Sequence, residues 1–343
     1  KRCQGTALQG GARFRYNASP MRTIFINEFG RLRSGWRVVL YIFLVTAISF
    51  VLTMVLRALY LFVTASGVAV PQRAYLWDML YRVSLLVTAL VAGYVCARVL
   101  EALPWRSLGL TLHNGWLRDL IVGSAIGFAA IVAGVAVAML GGGLRFSLSD
   151  DGLAGVARSM LGSAVLLLVA ALAEEALFRG YGLQTLARAR LASLGVLLTC
   201  ALFGFIHLSN PNVVPGFTFV NTALAGVWLG VAYLRTRSLW FPLGVHWGWN
   251  WALGWFFGLP ISGARIVSHP LIEANDTGPF WLTGGSYGIE GGLAGTIAML
   301  LFTIFTWRTS LVSATPELLK LTSEENPAIA STEPSTDYAD SVN

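Results

Sequence analysis

"SAVLLLVAALAEEALFRGYG", residues 163–182, runs an apolar stretch straight into two glutamates and an arginine. The run up to Ala173 is apolar enough to enter a membrane, and lipid strongly disfavours Glu174, Glu175 and Arg179. The composition of the whole chain decides where this stretch lies. Of 343 residues, 55% are hydrophobic and 12% charged, with a mean hydropathy of +0.66. A soluble domain carries about 25% charged residues. The chain therefore reads as an integral membrane protein, one polytopic domain with tails. The formal charge of +7 comes largely from arginines near helix ends. It is a topology signal, and no nucleic-acid partner is expected. Cys3, Cys96 and Cys200 stand far apart, which argues against a disulfide framework or a thiolate zinc site.

A membrane crossing needs about 20 apolar residues. Working outward from 163–182, the apolar runs are 38–63, 77–97, 118–140, 158–187, 194–208, 217–234, 240–258 and 290–307. The fold class expected is all-α, a polytopic membrane protein of about eight transmembrane helices in one bundle. Small residues recur at four-residue spacing, as in Gly123/Gly127 and Gly244/Gly248, and let helix backbones approach closely. Arg31, Arg33, Arg37, Arg98, Arg106, Arg118, Arg188, Arg190, Arg235, Arg237 and Arg308 fall on one side of this layout, and mainly Arg73, Arg145 and Arg265 on the other. Both termini are therefore expected in the cytoplasm. Residues 1–37 form an N-terminal cytoplasmic segment, of which 1–20 read equally as non-native leader or disordered tail. Residues 38–308 form the bundle. Residues 259–289 read as a long outer loop rich in Gly and Pro. Residues 309–343, rich in Ser, Thr, Pro and acid, are expected to be a disordered cytoplasmic tail.

The charged residues gain a reason if runs 158–187 and 194–208 form a hairpin turning near Arg190–Ala192. Glu174 and His207 then stand about sixteen residues from the turn, at a similar depth of roughly 25 Å. Glu175 and Arg179 share a helix face at i, i+4, so Arg179 can neutralise Glu175 and leave Glu174 to act as a base. His246 and Asn250 share a face in a later span. Of four histidines, His207 and His246 lie in spans, whereas His113 and His269 fall in loops. Each of these groups alone has a structural explanation, a backbone bond or an ion pair. Together they point to a shared polar cavity.

Glutamate and histidine can activate water as general bases. Histidine and asparagine can donate to a developing oxyanion. Two histidines and a glutamate (His207, His246 and Glu174) also make a candidate Zn2+ site. Either set serves hydrolysis of an acyl bond. Cys200 lies seven residues before His207 in apolar surroundings that favour an inert thiol.

"EEALFR" (174–179), "FGFIH" (203–207) and "HWGWN" (246–250) resemble the EExxxR, FxxxH and HxxxN motifs of the CPBP intramembrane proteases. That family includes the type II CAAX prenyl endopeptidases and the bacteriocin-processing or Abi proteins. The flanks 219–246 and "GGSYGIEGG" (284–292) are similar too, and the resemblance covers about 105–307. It implies an eight-helix bundle in the bacterial plasma membrane, acting on peptide or lipidated, CAAX-type protein substrates. It implies that Glu174 and His207 activate water, that His246 and Asn250 stabilise the oxyanion, and that Glu175 and Arg179 hold the site in shape. The family is labelled metalloprotease, and a mechanism without metal has also been argued for it. Two rivals stand beside this reading. One is a catalytically silent membrane scaffold or bacteriocin-immunity protein on the same fold. The other is a transporter using Glu174 and His207 as a proton relay, which predicts inverted repeats that the sequence does not show.

Overall fold

The computed structural model describes residues 24–322, apart from 71, 151 and 215. Helices occupy every one of the eight apolar runs. They are α1 (Ser34–Ala65), α2 (Arg73–Glu101), α3 (Trp116–Leu140) and α4 (Gly152–Glu175). The last of these continues unbroken through a π-helical stretch (Ala176–Leu183) and a final turn (Gln184–Arg188). After it come α5 (Ala192–Ile206), α6 (Phe217–Thr236), α7 (Trp240–Trp251, prolonged by a π-helical Ala252–Phe256) and α8 (Leu293–Arg308). Among the described residues, six helices are long and apolar enough to cross a membrane. The other two, α7 and α8, are shorter and packed into the bundle. The outer faces carry exposed Phe43, Phe62, Val99 and Leu301, as a lipid-facing surface requires. The chain is thus an all-α, multi-pass integral membrane protein.

Glycine sets the central crossing. A Cβ on Gly127 of α3 would stand 2.1 Å from the Val245 carbonyl oxygen of α7, and one on Gly248 would stand 2.2 Å from the Ser124 carbonyl oxygen. Gly123 and Gly244 make the same approach, at 2.4 Å and 2.2 Å from backbone oxygens. The two backbones touch, which no side chain would permit. Around this contact lies the core, with Ile131, Val135, Trp228, Phe241, Val245 and Leu253 buried. The crossing fixes the rotation of α7 and so the direction of His246.

One end of the bundle gathers the buried cations. Arg37 Nη1 lies 3.2 Å from Glu101 Oε2, and Arg188 Nε lies 3.8 Å from the same oxygen. This end matches the arginine-rich side read from the sequence.

Two expectations need correction. The segment between α7 and α8 is no open loop. It holds β2 (Ile272–Asp276), paired antiparallel with β1 (Leu144–Leu148), so the fold carries a two-stranded sheet beside its helices. It also buries Leu259, Ile261, Leu282, Tyr287 and Ile289. Gly258 and Gly288 turn it at φ +63° and +91°. Second, a short helix α9 (Pro316–Thr322) stands where a disordered tail was expected. Pro316 starts it, and Thr315 Oγ1 accepts from the Leu318 amide at 3.3 Å, a normal helix start. Leu318 is buried, and Glu317 reaches Arg106 at 3.4 Å. Composition averaged over a polar tail hides this one apolar face. The expectations for residues 1–20 and for the tail beyond 322 lie outside the described residues.

Candidate active site

Glu174 and Glu175 close the α-helical part of α4, and the π-helical stretch begins at Ala176. A π-helical segment rotates the following side chains relative to an α-helix and recurs at functional sites. Here Arg179 turns back onto Glu175. Its Nη1 donates to Glu175 Oε1 at 3.0 Å and its Nη2 to the Gly226 carbonyl at 3.0 Å. Both side chains are fully buried. The guanidinium also lies 5.1 Å from the ring centroid of Phe203 and 5.6 Å from that of Phe178, which adds a cation–π contribution. The i, i+4 ion pair is therefore present as expected, within a wider net of partners.

The hairpin reading is also borne out in its geometry. α4 ends at Arg188 and α5 starts at Ala192. His207 follows the end of α5, and its Nδ1 lies 2.7 Å from the Phe203 carbonyl oxygen. A carbonyl only accepts, so Nδ1 carries a proton, and Nε2 is the ring nitrogen left for other partners. His207 also packs on Phe203, with ring centroids 4.4 Å apart.

His246 sits between the two glutamates. Its Nδ1 lies 2.9 Å from Glu175 Oε1 and its Nε2 lies 3.7 Å from Glu174 Oε2. Pairing with Glu175 is not a relationship that spacing along the sequence reveals. It arises because Gly244 and Gly248, on either side of His246, pin α7 against α3. Glu174 differs from Glu175 in its exposure: the Glu174 side chain is 25% exposed, into the cavity, and the Glu175 side chain 0%.

Glu174, His207, His246 and Asn250 all line one cavity of about 740 Å³ within the bundle. Glu175 and Arg179 stand behind its wall. Cys200 is buried with its Sγ 3.1 Å from the Leu197 carbonyl oxygen, in keeping with an inert thiol. His113 is buried away from the cavity, its Nε2 3.3 Å from Ser238 Oγ and 3.6 Å from Asp119 Oδ2.

The cavity also has a wall that the sequence reading passed over. Glu290, from the segment before α8, accepts from Trp249 Nε1 at 2.8 Å and from the backbone and hydroxyl of Ser262. Asn221 of α6 donates to the Glu290 and Gly292 carbonyls at 2.8 and 3.0 Å. These bonds bind the returning segment to α6 and to α7 beside Asn250. The lone acid of "GGSYGIEGG" was the available signal.

The candidate zinc ligands Glu174, His207 and His246 all line the cavity, and both histidines hold their Nδ1 atoms on other partners. His246 gives its Nδ1 to Glu175, and His207 gives its Nδ1 to a backbone carbonyl. Among the described residues, no group of three or more His, Cys, Asp or Glu side chains is placed to share a metal ion.

The fold and the cavity define a multi-pass membrane protein with paired carboxylates and imidazoles inside its bundle. Residues 156–252, which hold all three motifs, match the family model described as Type II CAAX prenyl endopeptidase Rce1-like. The match covers that stretch of the chain and supports a CPBP/CAAX protease family assignment. A comparison with curated proteins gives no match.

Proposed function

We propose that the protein is an intramembrane endopeptidase in which Glu174 and His207 activate water against a peptide carbonyl. One observation carries this reading: the partly exposed Glu174, the two histidines and Asn250 share one cavity inside the bundle. Each of these polar groups is costly to insert, and convergence on one space gives them a common use.

Water would enter the cavity and give its proton to Glu174, with the His207 Nε2 lone pair accepting its second hydrogen bond. The oxygen attacks the carbonyl carbon, and the carbonyl oxygen becomes an oxyanion. Asn250 Nδ2 and, when doubly protonated, His246 Nε2 donate to it. Collapse of the intermediate breaks the C–N bond. The proton held by Glu174 passes to the leaving nitrogen, and the remaining hydroxyl proton passes through His207 to the released amine, leaving a carboxylate and an ammonium group. Glu175 receives His246 Nδ1–H and so fixes the ring, as the carboxylate of a triad does. Arg179 balances the charge of Glu175 and ties it to α6. No step of this scheme runs through a metal ion.

The substrates proposed are membrane-associated peptides, with prenylated CAAX-type termini the first to test. The arginine-rich end of the bundle would face the cytoplasm of a bacterial inner membrane. The test is purified protein in lipid nanodiscs with a farnesylated CAAX peptide, its products resolved by mass spectrometry. Cleavage at one bond supports the reading. If the folded protein cleaves neither this peptide nor unprenylated ones, the scaffold reading takes its place.

A further inference from the structure

The cavity extends beyond the reacting groups to α1 and α2, and there it is lined by polar residues that the scheme above does not use. Thr46, Ser49 and Thr53 of α1 all line it. They fall at i, i+3 and i+7, on one face of α1. Across from them stand Asp78 and Arg82 of α2. Arg82 is the one Arg or Lys among the described residues that line this cavity. An arginine at this depth is expensive in a membrane and calls for a partner.

Asp78 supplies only part of that partner. Arg82 Nε donates to Asp78 Oδ2 at 3.0 Å. Among the described residues the two terminal amino groups make no hydrogen bond. Arg82 keeps 21% of its side chain exposed. A guanidinium held by Nε presents its Nη1/Nη2 edge, which fits a second planar carboxylate in a bidentate pair.

The distance to the reacting groups can be counted from two ties between α2 and α4. Thr185 donates to Glu101 at one end, and the Tyr75 hydroxyl donates to the Gly162 carbonyl at the other, at 3.2 Å. At about 1.5 Å per residue from either tie, Arg82 lies roughly 8–12 Å beyond Glu174 along the bundle. Two to four extended residues span that distance.

We propose that Arg82 receives the C-terminal carboxylate of the substrate peptide, with Asp78 orienting it, so that the polar arm between α1 and α2 holds the residues beyond the cleaved bond. This rests on the protease reading and names a specificity residue for it. An anionic lipid phosphate could satisfy the same guanidinium, and the test separates the two.

A fluorescent farnesylated CAAX peptide is prepared as free acid and as C-terminal amide. Binding of each is measured on reconstituted Glu174→Gln protein, so that turnover does not intervene. The acid should bind about tenfold or more tighter than the amide, the range of a charge-assisted hydrogen bond. Adding Arg82→Gln should bring the acid down to the amide, and Arg82→Lys should restore part of the difference. Arg57→Gln, a cation of α1 that does not line this cavity, should leave it intact. Equal binding of acid and amide overturns the proposal, as a lipid phosphate in the site would produce. So does a preference that survives Arg82→Gln, or no binding of either peptide. Cleavage of both peptides by the unsubstituted protein is read separately. Acid preference without cleavage would fail the protease reading alone, and cleavage without acid preference would fail this site alone.

Discussion

His246 Nδ1 lies 2.9 Å from the fully buried Oε1 of Glu175, the same oxygen that Arg179 holds at 3.0 Å. One carboxylate oxygen thus joins three helices: Glu175 and Arg179 belong to the α4 run, His246 to α7, and Arg179 reaches Gly226 of α6. The consequence is a division of labour between adjacent glutamates. Glu175 is buried against Arg179 and His246, and Glu174 is left facing the cavity.

Glu175→Gln tests the orienting role. The amide oxygen can still accept from His246, yet it no longer balances Arg179. Loss of the carboxylate that orients a triad histidine costs as much as about 10⁴-fold in kcat, and a fall of at least about tenfold is expected here. Steady-state kinetics should show this as a fall in kcat with KM little changed. An unchanged kcat would leave His246 without need of Glu175.

Arg179→Ala tests the structural role. It leaves Glu175 as a buried charge with its main cation gone, which typically destabilises by about 3–5 kcal/mol. Thermal unfolding in detergent should show a marked drop in Tm, and expression should fall. A stable variant with an altered cleavage preference would contradict this assignment.

Asn250→Ala and His246→Ala remove the donors assigned to the oxyanion. Removing one such donor lowers kcat by about 10²–10³-fold. The check is kcat and KM for each variant alongside its Tm. A change confined to KM would move these residues from transition-state stabilisation to substrate binding.

Gly127→Ala would bring a Cβ to 2.1 Å from the Val245 carbonyl oxygen. Backbone cannot yield there without separating α3 from α7, so a loss of at least about 1–3 kcal/mol is expected. Activity should fall with stability, because His246 rides on α7. A variant of normal Tm and activity would show that the crossing has slack.

Chelation tests the donor arrangement. Incubation with EDTA or 1,10-phenanthroline should leave peptide cleavage unchanged, and purified protein should hold no stoichiometric zinc. Activity that is lost to chelator and restored by zinc would show that Glu174, His207 and His246 regroup around a metal.

Much of this architecture is legible in the residues. Eight apolar runs mark the eight helices because lipid demands long uncharged segments. The equal distance of Glu174 and His207 from a turn near Arg190 places them together, because helix rise is fixed. The Glu175–Arg179 pair follows from i, i+4 spacing. The contact of His246 with Glu175 does not, because it depends on how α7 is rotated. That rotation is set by backbone contact at Gly123, Gly127, Gly244 and Gly248, where spacing shows close packing but not its partner. The pairing of Leu144–Leu148 with Ile272–Asp276 joins segments far apart in the chain, and neither has a strong strand pattern alone. Glu290 escaped notice for a related reason: its partners Ser262, Trp249 and Asn221 come from three separate segments.

The central claim is that Glu174 serves as the base for water inside the bundle. The most direct test is the rate of farnesylated CAAX peptide cleavage in nanodiscs by the unsubstituted protein and by Glu174→Gln, with equal Tm confirmed for both. The account predicts cleavage by the first and none above background by the second. Equal cleavage by both would contradict it.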